Sequence, residues 1–219
     1  MLDFIALAQQ CAPAVHPNTL AAVVRVESGF NPYAIGVVGG RLERQPTNKA
    51  EAVATAKALE SMGYNFSLGI GQVNRYNLPK YGLDYSAAFE PCENLRVGSL
   101  ILKDCFDRAK TRFADDQAAL QASFSCYYSG NFSTGFRQDF AGQPSYVQKV
   151  LNSAATVSGS PAVTAIPVVR TAKAPAAAPR QAVPATGAAY RVALAEDEGD
   201  GQDNPNVYGG NSAGVMVYR

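Results

Sequence analysis

The stretch Leu20-Ala-Ala-Val-Val-Arg-Val-Glu-Ser-Gly-Phe-Asn-Pro32 places one acidic side chain on the apolar face of a predicted helix. Four of its residues recur at the i, i+3, i+4 and i+7 spacing of a single helix face, namely Leu20, Val23, Val24 and Glu27. The carboxyl group of Glu27 therefore shares the face that packs into the core. The pattern predicts a buried helix that carries an acid into the protein interior.

The end of this helix favours the protonated form of Glu27. Gly29 is a common helix stop and Pro32 prevents continuation, so Glu27 falls in the last helical turn. Unsatisfied carbonyl groups form the negative end of the helix dipole there. Burial and this dipole both raise the pKa of the carboxyl group, as a general acid near neutral pH requires. The alternative is a glutamate at a frayed helix end that turns to solvent.

The composition of the 219-residue chain argues against several classes of protein. A formal net charge of +1 provides no basic excess for binding nucleic acid. The apolar runs are far shorter than the ~20 residues that a transmembrane helix needs, so no transmembrane segment is predicted. His16 is the single histidine and no His/Cys ligand spacing occurs, which argues against a metal site. No cofactor is expected either, and His16 is interpreted as a residue at the start of a helix.

Helix signals dominate residues 1–152, and we predict one mainly α domain over that range. The predicted helices cover residues 3–11, 17–27, 48–62, 92–110, 116–129 and 144–151. Glycines and β-branched residues in the segment 36–42 predict a small hairpin or an irregular wing. The predicted fold class is therefore a helical domain with a small irregular or β wing.

Four cysteines form an even set without a Cys-x-x-Cys motif, which indicates two disulfides, with buried free thiols as the alternative. One predicted helix separates Cys92 from Cys105 by ~20 Å, whereas a disulfide needs Cα atoms within about 7 Å. Two pairings remain: Cys11–Cys92 with Cys105–Cys126, or Cys11–Cys105 with Cys92–Cys126. The first is favoured, because antiparallel neighbouring helices bring Cys105 and Cys126 to similar levels.

The first nine residues lack a basic region and contain too short an apolar core for a typical secretory signal. This favours a cytoplasmic protein or one that has already been trimmed. A pair of disulfides favours an oxidising compartment instead.

The composition changes after residue 152. Residues 153–195 are rich in Ala, Val, Pro, Thr and Ser, which predicts an extended linker. Residues 196–219 begin with an acidic run and end with the apolar Val215-Met-Val-Tyr218. This C-terminal tail is too short to fold alone, so we expect either a disordered end or a peptide that becomes ordered on a partner.

Four short motifs follow one another along the predicted domain. They are Glu27-Ser-Gly-Phe-Asn-Pro-Tyr-Ala34, Ser67-Leu-Gly-Ile-Gly-Gln72, Cys126-Tyr-Tyr-Ser-Gly-Asn131 and Tyr146-Val147. In this order they resemble the motifs of the soluble lytic transglycosylases, lysozyme-like enzymes that cut peptidoglycan. The long segment 36–66, the cysteines and the tail make the chain resemble most closely the specialised transglycosylases of type IV secretion systems, of the VirB type. The resemblance covers residues 3–152 and implies a lysozyme-like helical fold.

The resemblance also implies roles for individual residues. Glu27 would be the catalytic acid and base, and Ser28 would support it. The substrate cleft would be lined by Gly69, Gln72, Asn74, Tyr127 and Tyr128, and Tyr146 would hydrogen-bond near Glu27. One departure concerns Tyr128, which stands where the family usually has an asparagine that contacts substrate.

The implied reaction is cleavage of the MurNAc–GlcNAc β-1,4 bond of peptidoglycan to give 1,6-anhydromuramyl products, opening the cell wall locally for type IV secretion or conjugation. Most glycosidases use two carboxylates, and no second acid here shares the apolar setting of Glu27. A single acid fits a reaction in which the N-acetyl group of the substrate assists. Periplasmic function and docking of the tail to secretion components are expected with it.

Two alternatives remain open. A goose-type lysozyme would hydrolyse the same bond, with Asp84 or Glu43 activating water. A peptidoglycan-binding scaffold of the secretion machine would cut little, as the Tyr128 departure and the tail suggest.

Overall fold

The computed structural model describes residues 2–158, which form a mainly helical domain with one small sheet. The helices are α1 (Leu2–Cys11), α2 (Pro17–Glu27), α3 (Lys49–Ser61), α4 (Tyr85–Ala88), α5 (Pro91–Lys110), α6 (Asp116–Ser129) and α7 (Tyr146–Ser158). The strands are β1 (Ile35–Val37), β2 (Phe66–Leu68) and β3 (Val73–Asn74), and 3-10 turns occupy Arg75–Asn77, Pro79–Tyr81 and Thr134–Phe136. The predicted mainly α fold with a small β wing is confirmed.

The predicted segment boundaries can be compared with the structure only over residues 2–158. Helix α7 continues to Ser158, past the predicted domain end at residue 152. The greater part of the predicted linker and the whole tail, residues 196–219, lie outside the described residues. Across residues 2–158, the helices are all too short or too polar to cross a bilayer.

Helix α2 lies in the core, as the apolar stripe predicted. Pro17 opens the helix, and the side chain of His16 accepts a hydrogen bond from the Asn18 amide at its start. Its buried side chains are Leu20, Ala21, Ala22, Val23, Val24 and Val26. The helix packs against α1 on one side and α7 on the other. The first residue of α7, Tyr146, meets the last residue of α2, Glu27.

The sheet has the order β1-β2-β3 and is antiparallel throughout. Of the two alternatives predicted for residues 36–42, the local hairpin does not form, because β1 pairs with β2, with Ile35 opposite Leu68. Both of those side chains are fully buried, whereas residues 39–41 are exposed and offer no apolar partner. At the outer edge of β1, the Gln45 side chain accepts from the Ile35 amide and donates to its carbonyl. That amide covers a strand edge that would otherwise lack hydrogen bonds.

Two disulfides join the helices, which confirms the prediction and its favoured pairing. Cys11–Cys92 links α1 to α5, and Cys105–Cys126 links α5 to α6. All four cysteines of the sequence are therefore paired. Helix α5 is thus joined by a disulfide to α1 near its start and to α6 nearer its end.

Candidate active site

Glu27 ends α2, and the residue as a whole is half-buried while its carboxyl group is enclosed by protein. The Tyr146 hydroxyl at the start of α7 hydrogen-bonds the Glu27 Oε1 atom. Burial raises the pKa of Glu27 from its ordinary value of 4.5 to about 8, while the hydrogen bond from Tyr146 opposes that rise. At neutral pH the acid is protonated and able to donate a proton.

A sharp turn after Glu27 connects the helix end to the sheet. Gly29 and Phe30 both adopt the left-handed region, with φ of +60° and +69°. The strain at Phe30 is offset by packing, since its ring meets that of Phe4 edge-on at 5.0 Å between centroids. The Ser28 hydroxyl donates to the Ile70 carbonyl at 2.6 Å. Ser28 therefore fastens the end of α2 to the turn formed by residues 69–72.

That turn links β2 to β3 and has an unusual backbone. Gly69 and Gln72 both have positive φ, +76° and +52° respectively. The Gln72 side-chain amide donates to the Ala34 carbonyl at 3.0 Å and to the Gly69 carbonyl at 2.8 Å, which stabilises a conformation that non-glycine residues rarely adopt. The Gln72 side chain therefore stabilises the turn formed by residues 69–72.

Asn94 of α5, which sequence reasoning missed, supports the same turn from inside the core. Its Oδ1 accepts from the Gly71 amide at 2.7 Å, and its Nδ2 donates to the carbonyls of Leu68 and Ala88. A side chain at Gly69 has no room, because a Cβ there would lie 2.4 Å from Asn94 Nδ2. The signal was available in principle: Asn94 is a polar residue on the apolar stripe that continues through Gly98 and Ile101.

Two of the predicted cleft residues are buried and bond to other parts of the protein. The Tyr127 ring is buried and its hydroxyl donates to the Gly71 carbonyl at 2.6 Å. Asn74 is also buried, and its amide donates to Asn65 Oδ1 at 2.8 Å. The structure therefore uses the polar atoms of both side chains to hold protein backbone and neighbouring side chains in place.

Tyr128, the residue that departs from the family pattern, lies against the Glu27 partner. Its ring stacks on Tyr146 with centroids 4.5 Å apart and planes at 14°. Its hydroxyl donates to Asp139 Oδ1 at 2.9 Å, and Lys149 Nζ lies 3.5 Å from Asp139 Oδ2. Burial, followed by the charge of Asp139, raises the pKa of Tyr128, so the phenol stays protonated. Asp139 and Lys149 were not predicted from the sequence.

The two acids considered as activators of water occupy other positions. Asp84 caps the start of α4, where its Oδ1 accepts from the Ala87 amide at 2.7 Å. Glu43 is exposed in the segment after β1. In the part of the chain that the structure describes, His, Cys, Asp and Glu side chains nowhere gather in a group of three that could hold a metal ion.

Comparison with known proteins gives a consistent result. Residues 4–139 match the family described as the transglycosylase SLT domain. The chain is 50% identical to the type IV secretion system protein virB1 of Brucella melitensis biotype 1 over the full length of both chains. It is 59% identical to the protein of the same name from Brucella abortus biovar 1, over 84% of this chain and 76% of that one.

More distant relatives retain the similarity. Protein virB1 of Agrobacterium fabrum is 32% identical over 69% of this chain and 59% of its own length. No solved structure matches the chain significantly. The family match covers more than half of the chain and includes Glu27 and the turn at residues 69–72. The chain therefore belongs to the SLT transglycosylase family.

Proposed function

We propose that this chain cleaves the MurNAc–GlcNAc β-1,4 bond of peptidoglycan without hydrolysis and leaves 1,6-anhydromuramyl ends. The observation that carries the proposal is Glu27, a half-buried acid whose pKa burial raises to about 8 and whose carboxyl group is held by Tyr146. A carboxyl group that keeps its proton at neutral pH has the proton that a general acid must donate.

Glu27 serves twice in the proposed reaction. Its proton first goes to the bridging oxygen as the bond between that oxygen and the anomeric carbon breaks. The N-acetyl oxygen of the substrate assists at the anomeric carbon, so a second carboxylate is not needed. The Glu27 carboxylate then takes the proton of the muramyl 6-hydroxyl, whose oxygen closes the anhydro ring. Proton, electrons and oxygen balance without water, and Glu27 returns to its starting form.

The neighbouring residues have supporting roles in this proposal. Tyr146 donates to the carboxylate that exists between the two proton transfers, which stabilises the charge at the time it forms. Gly69, Gln72 and Tyr127 shape the turn that Ser28 fastens to the end of α2, so the glycan contacts the backbone of that turn. Asn74 holds the adjoining strand β3 through its bond to Asn65. Ser28 keeps helix end and turn in register through its bond to Ile70.

We infer the cellular setting from the relatives, two of which bear the name type IV secretion system protein. The chain would open the wall locally so that a secretion or conjugation apparatus can assemble. Two disulfides suit the periplasm, where the substrate lies. The tail, residues 196–219, would dock to secretion components.

The test is digestion of purified sacculi followed by mass spectrometry of the released muropeptides. Wild-type protein should release anhydro forms, and Glu27→Gln should release none while keeping its fold by circular dichroism. Asp84→Asn and Glu43→Gln serve as matched carboxylate-to-amide controls and should retain activity. Reducing-end muropeptides, lost in either control variant, would support the goose-type hydrolysis instead.

A second candidate function is a peptidoglycan-binding scaffold, which the presence of Tyr128 in place of the usual asparagine favours. The scaffold requires binding but no proton transfer. If Glu27→Gln protein restored full secretion in a deletion strain, cleavage would be dispensable and the scaffold would be the better description.

A further inference from the structure

Asp139 joins three separate parts of the chain beside the candidate active site. It lies in the segment between the 3-10 turn Thr134–Phe136 and α7. One carboxylate oxygen accepts from the Tyr128 hydroxyl of α6 at 2.9 Å, and the other lies 3.5 Å from Lys149 Nζ of α7. The side chains of Lys149 and Asp139 are only 20% and 19% exposed, so the pair is better shielded from solvent than an ordinary surface pair.

Both partners of Asp139 are linked to Tyr146. Tyr128 stacks on its ring at 4.5 Å, and Lys149 lies three residues along the same helix, on the adjoining part of its surface. Tyr146 in turn bonds Glu27. A hydrogen bond to a carboxylate is stronger than one between neutral groups, so Asp139 is the firmest anchor in this arrangement.

We propose that Asp139 is a positioning residue, which clamps Tyr128 and Lys149 so that the stacked Tyr146 ring keeps its hydroxyl on Glu27. The clamp does not touch substrate, and it rests on the proposed function of Glu27. It gives Tyr128, which stands in place of the family's usual asparagine, a positioning role. Asp139 holds the Tyr128 hydroxyl, and the Tyr128 ring in turn supports the ring of Tyr146. Catalysis depends on the placement of Glu27 to within a fraction of an ångström, so a loosened clamp reduces turnover.

The proposed clamp and a purely electrostatic effect predict opposite shifts of the alkaline limb of the pH profile in Asp139→Asn. The titratable groups that connect Glu27 to Asp139 are Tyr146 and Lys149 of α7 and Tyr128 of α6. If Asp139→Asn acted only by removing a negative charge, the carboxylate of Glu27 would form more easily and the alkaline limb of activity would move to lower pH. If it releases Tyr146, Glu27 loses a hydrogen bond that lowers its pKa, and the limb moves to higher pH.

The experiment measures kcat and KM for solubilised glycan strands from pH 5 to 10 with wild-type protein, Asp139→Asn, Tyr128→Phe and the double variant. Tyr128→Phe keeps the stacked ring and the charges and removes only the hydroxyl that Asp139 accepts from. We expect about a tenfold or greater loss in kcat with little change in KM and an alkaline limb at higher pH for each single variant. The double variant should lose less than the product of the two single losses, because Asp139→Asn weakens the same hydrogen bond that Tyr128→Phe removes.

Asp107→Asn is the matched control, since Asp107 pairs with Lys103 at 2.5 Å on α5 and is 57% exposed. It should leave the profile unchanged. Thermal melting of each variant identifies a loss of folding, and Tyr128→Phe still decides the outcome if Asp139→Asn does not fold. Unchanged kcat and an unchanged limb in Tyr128→Phe would overturn the clamp. The same is true of a limb at lower pH in Asp139→Asn. In either case an inactive Glu27→Gln would leave the proposed function intact, whereas an active one would overturn that function separately.

Discussion

Glu27 binds its proton more tightly in the folded chain than in the unfolded chain, because burial raises its pKa from 4.5 to about 8. Between these two values the unfolded state releases a proton that the folded state retains. The free energy of unfolding therefore falls as pH rises through this window, by about 1.4 kcal/mol for each pKa unit, and the loss is complete above pH 8.

This linkage predicts how Glu27→Gln changes stability. The glutamine side chain has no such proton to lose, so the free energy of unfolding of the variant does not fall in this way. Relative to wild type, the variant should therefore become more stable by a few kcal/mol, as an order of magnitude, when pH rises from 4.5 to 8.5. Urea unfolding of both proteins at the two pH values measures the difference. An equal difference at both values would mean that Glu27 is not desolvated in the folded state.

Tyr146 is expected to set the alkaline limit of activity. Tyr146→Phe removes the hydrogen bond that lowers the pKa of Glu27, so the alkaline limb of kcat/KM should move to higher pH. The rate should fall about tenfold to a hundredfold, because a hydrogen bond to a charged group contributes about 1.5–3 kcal/mol. Tyr81→Phe, a half-buried tyrosine of a 3-10 turn, is the control. A limb at lower pH in Tyr146→Phe would contradict the assigned hydrogen bond.

At the residue scale, the sequence pattern located Glu27 and the family resemblance supplied its partner Tyr146, but neither indicated Asp139 or Lys149. Glu27 stood out because a carboxyl group on an apolar helix face is rare. Asp139 belongs to an irregular segment, where no periodicity indicates which way a side chain points. The stacking of Tyr128 on Tyr146 joins α6 to α7, and such a contact depends on how two helices pack.

At the scale of elements, local sequence signals predicted the helices, which form between residues close together in the chain. Helix α3 begins within one residue of its predicted start at residue 48, because the Asn48 side chain accepts from the Glu51 amide at 3.0 Å and so caps the helix. Strand β1 was assigned no correct partner, because its three residues pair with a strand beyond the whole of α3. Pairing across that distance depends on tertiary burial, which a short segment cannot reveal.

The two disulfides are predicted to differ in their response to reductant. Cys92 is exposed, whereas Cys105 and Cys126 are both fully buried and the Arg108 guanidinium lies 3.1 Å from Cys126 Sγ. Because thiol exchange requires access to sulfur, dithiothreitol under native conditions should open Cys11–Cys92 first. Alkylation followed by peptide mass spectrometry gives the order. Opening of Cys105–Cys126 first would contradict the helix packing around α5.

Opening Cys11–Cys92 should also lower stability substantially. The bond spans 81 residues, and the loop-closure estimate for that length is about 4.5 kcal/mol at 25 °C. Urea unfolding before and after the selective reduction measures the loss.

At the scale of the whole molecule, we propose that the catalytic unit lies within residues 2–158. Ser153 is buried on α7 and the helix continues to Ser158, so a cut after Ser158 keeps the described part of the helix. Because the described contacts around Glu27 all lie within residues 2–158, a chain ending there should cleave sacculi at the wild-type rate. Secretion should fail, since the proposed docking tail is gone. Loss of cleavage would place the remaining residues in the catalytic unit, and normal secretion would remove the docking role.

In the proposed reaction one acid, Glu27, is sufficient and no water is consumed. Digestion of sacculi in ¹⁸O-labelled water distinguishes this reaction from hydrolysis, because hydrolysis adds one water oxygen to every new muramyl end. We expect anhydromuramyl products that carry no label and that disappear with Glu27→Gln. Labelled reducing ends as the main product of the wild-type chain would rule out the proposed reaction.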